Sequence, residues 1–384
     1  MAQVDTAAVV VIGGGVTGLS SAWWLARNGV DVIVLERGVV GAEASGRNGG
    51  QTMHLDSPFG MEEQRLWPVL DEMLGYPTEW RPGRLDAVFH EDSFEAQKAA
   101  TVPEVYKGFE VEFLDGDQVR ELVPLASKRI IGGVYRHYGG HANPQRTVQA
   151  YAWAVQDLGG RIYQHHTVTG VLMSGTKVAG VDTDKGSFSA DFVVDAAGPS
   201  TGMIAEMAGV SLPLAHARVE QIVTEPLPSM FSGNFIGNGL YGRQTRRGNL
   251  AYGGGPHEWI DVTGMSEPEK QATPLIRNLA RRLLHLYEEA SDLRVIRSWG
   301  GIVEQTPDGG PVIELMDRPG NFIVATMSGM GFGLSPAVGE AISDLVIKGE
   351  VSFADISEFT AGRFKDVPMD WRELRGWMPS PRKD

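Results

Sequence analysis

The stretch Ala7–Glu36, AAVVVIGGGVTGLSSAWWLARNGVDVIVLE, constrains the fold more than any other part of the chain. The apolar run Ala7 to Ile12 reads as a strand buried on both faces. Gly13, Gly15 and Gly18 follow in the order G-x-G-x-x-G. A helix pattern starts there, with Leu19, Ala22, Trp23 and Ala26 on one face and Gly29 placed to end it. A second strand, Asp31 to Leu35, runs into Glu36. The three glycines serve different ends. Gly13 permits the tight turn, Gly15 lets a pyrophosphate approach the backbone, and Gly18 lets the helix pack close to the strand. Phosphates would rest on the free amides of the helix N-terminus, at Val16 and Thr17. Glu36 is set to accept hydrogen bonds from a ribose diol and to repel a 2′-phosphate. Strand, turn, helix, second strand and acid fall in register, and that context makes a weak motif into a dinucleotide site.

A chain of 384 residues is long for one core and suggests two domains. Its net charge of −14 argues against a nucleic-acid partner and against an anionic membrane surface. With no cysteine, thiolate nucleophiles, iron–sulfur clusters and thioether-linked flavin are excluded. No charged leader precedes an apolar signal region, and no run reaches the roughly 18 apolar residues of a membrane span. The expectation is a cytoplasmic protein.

Further along, Gly38 to Gln51 is rich in small residues. It reads either as a flexible loop or as a second cofactor loop, whose amides and one cation reach a phosphate or a flavin edge. Helices are expected at Glu62–Leu74, Asp117–Val123, Gln145–Leu158, Glu267–Ala290 and Pro336–Lys348. Strands are expected at Arg84–Glu91, Ile130–Tyr138 (with a glycine bulge), Arg161–His166, Gly170–Met173, Val178–Thr183, Ser187–Ala190, Phe192–Ala196, Ala217–Thr224, Gly248–Gly253, Arg297–Val303 and Asn321–Ala325. The last of these ends in MSGMGFG, so the core closes as it opened, with a strand, glycines and a helix N-terminus. Pro336 is read as the start of the closing helix. The dinucleotide elements fall at three separated places, so the cofactor domain is discontinuous and a second domain is inserted in pieces.

In these stretches, and in GAEASGRNGGQ, GVDTDKGSFSADFVVDAAGPST, SWGGIVEQTPDGGPVI and VGEAISDLVIKG, the chain resembles the FAD-dependent oxidoreductases of the D-amino-acid oxidase type. That family includes glycine oxidase, sarcosine oxidase and bacterial amine and opine dehydrogenase subunits. The resemblance implies an α/β fold: a discontinuous Rossmann-like FAD-binding domain (residues 1–84, 144–211 and 296–384) with an inserted α+β substrate domain on a mostly antiparallel sheet (85–143 and 212–295). It implies FAD held without a covalent link. Gly13, Gly15, Val16, Thr17 and Gly18 would hold the pyrophosphate, Glu36 the ribose, and Arg37 would lie near the adenine. Ser45, Gly46, Arg47, Asn48, Gly49, Gly50 and Gln51 would run past the pyrophosphate to the flavin. Val168 would meet the adenine, Ala197 and Gly198 would line the inner side, and Gly300, Gly329, Met330, Gly331, Phe332 and Gly333 would lie about the flavin. The implied reaction is oxidation of the C–N bond of an amine or amino acid by hydride transfer to flavin N5, giving an imine that hydrolyses. Electrons then pass to oxygen or to another acceptor.

Two positions depart from the family. Met330 replaces the histidine of G-H-G-F-G, and Val303, followed by Glu304, stands where glycine oxidase-like members clamp a substrate carboxylate with arginine. The clamp is then sought at Arg47 or Arg243, and a secondary amine or an N-substituted, opine-like amino acid is favoured. His54, Arg243 and Tyr252 are the candidate catalytic residues; Tyr252 and Trp259 either wall the pocket or merely pack. Arg246 and Arg247 belong either to a solvated face or to an anion contact. His137 and His141 lie four apart, but Gly139-Gly140 between them speaks against a helical metal pair, so no metal is expected. Two alternatives stay open: an FAD-carrying subunit that passes electrons to a partner chain, and a flavin hydroxylase. The hydroxylase would need NAD(P)H, for which no second fingerprint is found. Oligomeric state is left open.

Overall fold

Strand β1 (Gln3–Ile12), helix α1 (Val16–Arg27) and strand β2 (Val32–Glu36) form the opening unit. Val9 and Val11 enter one core cluster while Val10 and Ile12 enter another. Both faces of β1 are therefore covered, which is why its apolar run is unbroken. The sequence pattern suggested one apolar face for α1, but it is buried from Val16 to Ala26.

The computed structural model describes residues 3–100, 108–255, 257–261, 273–368 and 370–375. After β2 come α2 (Ala44–Arg47), β3 (Gln51–Thr52), α3 (Gly60–Leu66), α4 (Leu70–Leu74), β4 (Arg81–Val88), α5 (Glu91–Ala100), β5 (Val111–Asp115), α6 (Gly116–Leu122) and β6 (Gly132–His141). The middle holds α7 (Pro144–Asp157), β7 (Arg161–Gln164), β8 (Val168–Ser174), β9 (Lys177–Thr183), β10 (Gly186–Asp195) and α8 (Thr201–Met207). Next are β11 (Ala215–Pro226), β12 (Asn234–Ile236), β13 (Leu240–Gln244), β14 (Asn249–Gly254), β15 (Glu258–Ile260), α9 (Thr273–Leu286) and β16 (Val295–Gln305). The chain closes with β17 (Val312–Leu315), β18 (Phe322–Thr326), α10 (Gly331–Lys348) and α11 (Trp371–Arg375).

Two sheets result. The first runs β17-β18-β10-β1-β2-β7, with β9 and β8 added beside β10. Its centre, β18-β10-β1-β2-β7, is parallel throughout. The second runs β15-β11-β14-β13-β12-β4-β6-β3, with β16 on β11 and β5 on β6. All its pairings are antiparallel except β12 with β4. Helix α9 covers this sheet, with Leu279, Leu283 and Leu286 packed in a core that includes Ile222, Leu250 and Tyr252. The expected class, a Rossmann-like α/β unit with an α+β unit on an antiparallel sheet, is the one observed.

Several expectations change. Residues 51–52, 81–84 and 296–305 were expected in the cofactor domain, yet β3, β4 and β16 pair in the second sheet. Local alternation marks a strand but not the sheet it joins. Ser187–Ala190 and Phe192–Ala196 are one strand, β10, which pairs with β9 at one end and runs beside β1. The glycine-rich segment after β2 contains the short helix α2. The helix expected over 62–74 starts at Gly60 and tightens to a 3-10 turn at Trp67–Val69, around Pro68. The bulge in β6 lies at 137–139, where Gly139 takes a positive φ, whereas Gly132 and Gly133 pair regularly. The helix expected over 267–290 is described from Thr273 to Leu286; its start falls partly outside the described residues. The short strands β3, β5, β12, β13, β15 and β17 carried too little alternation to be read.

Helix α10 begins at Gly331, not at Pro336, so the proline sits inside it. Pro336 has no N–H for the carbonyl of Phe332, four residues back. The Ser335 hydroxyl donates to that carbonyl instead, at 2.8 Å. The same stretch docks on α1: Ser20 Oγ donates to Ser335 O at 2.7 Å and Trp24 Nε1 to Pro336 O at 2.9 Å. The helices touch at Gly339, where an added Cβ would collide with Ser20 Oγ and come within 2.7 Å of the Ser20 backbone carbon. Backbone cannot yield as a side-chain tip can. Gly339→Ala is therefore expected to lower the unfolding free energy by about 1–3 kcal/mol, despite alanine's better helix propensity. Urea unfolding of the two proteins checks this, and unchanged stability would show that the helices can part at no cost.

Candidate cofactor cleft and substrate chamber

The glycine turn is shaped by contact as much as by flexibility. Gly13 has φ +111°, and a side chain there would run into the carbonyl of Ala196, just past the end of β10. A Cβ at Gly18 would strike the carbonyl of Gly13, so α1 sits directly on the turn. At Gly15 the situation differs: the added atom meets only the Ser45 side chain, its Oγ at 3.0 Å. That backbone faces open space. Ser45 Oγ accepts from Val16 N at 2.9 Å, which ties the second loop to the helix start. The Glu36 carboxylate accepts from Gly14 N at 2.8 Å and from Gly38 N at 2.6 Å.

A cleft opens over this turn. Gly13 to Thr17, Glu36 and Arg37 form one side, Ser45 and Asn48 the second loop, Val168 and Ala196 to Ser200 the inner wall, and Gly329, Gly331 and Phe332 the far end. Arg37 lies across the mouth, donating to Ser200 Oγ at 3.2 Å and pairing with Glu43 at 3.6 Å. Glu304, also on the wall, accepts from Met327 N at 3.0 Å and from Thr326 Oγ1 at 3.2 Å, and burial raises its pKa. A flavin dinucleotide fits this cleft on its own features. The phosphates have a bare backbone at Gly15 and the N-terminal end of α1, where the Val16 amide expected to be free is instead taken by Ser45 Oγ, and the ribose has a carboxylate at Glu36.

The cleft continues into a second space; Asn48, Val303, Gly329 and Phe332 line both. This chamber is walled by Gly49 to Gln51 and His54, by Val219 and Gln221 of β11, Tyr241 of β13, His257, Gln305 of β16, and Met330 and Gly333 at the start of α10. Among the described residues no arginine or lysine lines it. Gln221 is 2% exposed, and neither its Oε1 nor its Nε2 has a hydrogen-bond partner. Burial raises the pKa of Tyr241. Burial and the nearby Arg282 hold His257 down at about 4, so it is neutral at pH 7. His54 Nδ1 lies 3.2 Å from both oxygens of Glu63.

Most candidates from the sequence come together here, and the exceptions have structural causes. Gly18, Gly46, Arg47 and Gly300 line neither space. Arg47 is engaged elsewhere in this structure: its Nε donates to Ala42 O at 2.6 Å and its Nη1 to Gly300 O at 3.1 Å, stapling the loop to β16. Gly46 is packed against the Gly41 carbonyl. Arg243 is not brought to the chamber either. It shares a face of β13 with Tyr241 but is buried beneath the loop, donating to the carbonyl of Gly49. Tyr252 pairs with Gly242 across β13 and β14, so it points to the opposite face from Tyr241. Its hydroxyl bonds Phe235 O and Tyr287 in the core of the second unit. Arg246 and Arg247 are exposed on a turn, and Trp259 packs on Trp371. His137 meets Glu112 at the surface, while His141 is buried on Ser232 O at 2.9 Å, so the two do not share a site. Sequence reasoning missed Gln221, Tyr241 as a wall residue, and His257. The available signal was Gln221 itself, two residues from Val219 and on the same strand face.

The chain matches the family model described as DAO, FAD dependent oxidoreductase, over residues 8–345. The beta subunit of sarcosine oxidase from Rhodobacter capsulatus is 28% identical over 373 residues, covering 93% of this chain and 88% of that protein. An opine oxidase subunit from Rhizobium meliloti is 27% identical, with 95% and 98% covered. The crystal structure of L-proline dehydrogenase from P. horikoshii superposes with a TM-score of 0.85 at 24% identity, covering 94% of this chain and 98% of that one, and shows the shared fold. The glycine turn, the acid after β2 and the closing glycines before α10 all fall within the matched span, and the chain belongs to the DAO family of FAD dependent oxidoreductases.

Proposed function

We propose that the protein oxidises the C–N bond of a secondary amine without an α-carboxylate, with the chamber beside the cofactor cleft as the substrate's seat. The carrying observation is the continuity of the two spaces through Asn48, Val303, Gly329 and Phe332. When bound, FAD supplies the acceptor for the electron pair removed from the substrate. The chain's own residues hold and shape. The turn at Gly13 to Gly18 and Glu36 hold the dinucleotide, and the absence of cysteine leaves it without a thioether link. Apolar Val219, Val303, Met330 and Phe332 keep water sparse around the reacting carbon, while the Gln221 amide has hydrogen bonds to offer a polar group. The names of the two relatives support a secondary amine as the oxidised group, since sarcosine and the opines are secondary amines; the α-carboxylates those compounds also carry find no arginine or lysine in this chamber.

The same names favour a second reading of how the enzyme works. Both relatives are named as subunits, which points to an FAD-bearing chain that passes electrons to a partner. Size-exclusion chromatography of the native protein, with activity measured against oxygen and against an artificial acceptor, separates a self-sufficient oxidase from such a subunit.

Substrate charge follows from the chamber walls. Burying a carboxylate without a cationic partner costs about several kcal/mol, and neither Arg47 nor Arg243 supplies one. Amines without an α-carboxylate are therefore expected to bleach the flavin with kcat/KM about 10² or more above matched α-amino acids. An anaerobic panel of amines, N-methyl amino acids and opines measures the ratio; the reverse ranking would refute the charge argument. The cradle is tested separately by Gly15→Val. Its side chain occupies the open space over the turn, so the variant should fold and elute without flavin. Acid precipitation of the wild type should leave the colour in solution. A yellow Gly15→Val protein would mean that this turn holds no pyrophosphate.

A further inference from the structure

Oxidation of a C–N bond at neutral pH meets a problem of protonation. An alkylammonium has no lone pair on nitrogen to support the forming C=N bond, so its proton must leave first. We propose that His54 accepts this proton at Nε2 and that Glu63 is its positioning residue. The inference rests on the amine-oxidation reading above.

His54 follows β3 and lines the chamber. Glu63, on α3, is fully buried. Its carboxylate accepts the His54 backbone N–H at 2.9 Å and lies 3.2 Å from Nδ1 through each oxygen. A buried carboxylate devoted to one histidine fixes the ring: Nδ1 carries a proton and donates, and the lone pair is left on Nε2. The start of α10 closes over the pair. A Cβ at Gly333 would strike His54 Cε1 and stand 2.7 Å from Nδ1 and 2.8 Å from Glu63 Oε1. Trp67 Nε1 holds that turn of helix in place by donating to Gly333 O at 2.7 Å. The ring is thus clamped on its Nδ1 side and can serve the chamber only through Nε2.

The other groups that face it decide the assignment. Glu63 stands behind the ring, Asp56 is on its own segment, and Arg84 approaches from β4. Burial opposes the imidazolium, but the charge and hydrogen bonds of Glu63, with help from Asp56 and against Arg84, prevail, and the pKa is raised above the ordinary 6.5. Across the chamber, His257 at about 4 is too weak a base, and Tyr241, pushed up, keeps its proton. His54 is the chamber group that is basic enough to take the proton and acidic enough to release it. In the step itself the N–H bond of the ammonium breaks, its electron pair stays on nitrogen, and the proton joins Nε2 before passing to water.

The test uses the FAD-loaded enzyme and an amine that bleaches the wild type. The limiting rate of anaerobic bleaching, at saturating amine, should rise with pH and level off above the His54 pKa, since the base must be neutral. His54→Asn should lose that limb and fall about 10²-fold or more at neutral pH. Glu63→Gln should move the limb to lower pH, because the raising charge is gone. A readout independent of turnover is NMR of carbon-13-labelled histidine. The resonance missing in His54→Asn should titrate above 6.5 in the wild type and lower in Glu63→Gln. If His54→Asn loses its flavin, His54→Gln and Glu63→Gln carry the test. A flavin-loaded His54 variant with the wild-type rate and profile overturns the proposal, as does an NMR titration that Glu63→Gln leaves unmoved. If no amine bleaches even the wild type, the amine-oxidation reading fails and the base falls with it; an active wild type beside an indifferent His54 variant removes the base alone.

Discussion

The structure depends on one close approach, that of helix α1 to the end of strand β1. The Gly13 carbonyl occupies the space that any side chain at Gly18 would need. Gly13 in turn is pressed on the carbonyl of Ala196, which follows β10. These contacts fix where α1 starts, and hence where its unpaired amides point. They also fix where α10 lies, because α10 rests on α1 through Ser20 and Trp24. The last glycines of the chain thus arrive over the first. A nucleotide cleft built this way has rigid backbone on both banks, as phosphate recognition through amides demands.

What was legible in the sequence follows the same logic. The opening strand, turn and helix could be read because backbone sterics admit few alternatives at Gly13 and Gly18. The second loop was recognisable from its small residues, although Arg47 looked like a phosphate ligand and is a staple. Period-two alternation gives the face of a strand but not the depth of the surroundings, so Tyr241 and Arg243, on one face, have different fates. Tyr252 was misread because its face depends on pairing with Gly242, a relation between two strands that neither shows alone. Likewise β16 reads as an apolar strand, and nothing local tells that it pairs with β11 rather than with β18. The helix start at Gly331 was hidden because Pro336 reads as a first-turn residue, whereas it sits inside the helix beside a Ser335 hydroxyl that takes up the Phe332 carbonyl.

The two spaces differ in chemistry. The cleft offers backbone amides, a helix end and carboxylates. The chamber offers apolar walls, an unpaired amide at Gln221 and one imidazole backed by Glu63. A group carrying fixed negative charge has partners in the first and none among arginines or lysines in the second. Such a division suits charge recognition in the cleft and shape and hydrogen bonding in the chamber.

The ties between the second loop and the second sheet carry a thermodynamic consequence. Arg243 donates to Gly49 O, Trp299 Nε1 to Arg47 O at 2.8 Å, and Arg47 to Gly300 O. Burial lowers the Arg243 pKa to about 10, which still leaves it charged at pH 7, so the tie persists under ordinary conditions. A ligand gripped by that loop thereby favours the ordered state of the strands the loop is tied to. Its binding energy is shared by linkage across both sheets, and cofactor-loaded protein should melt as a single cooperative unit.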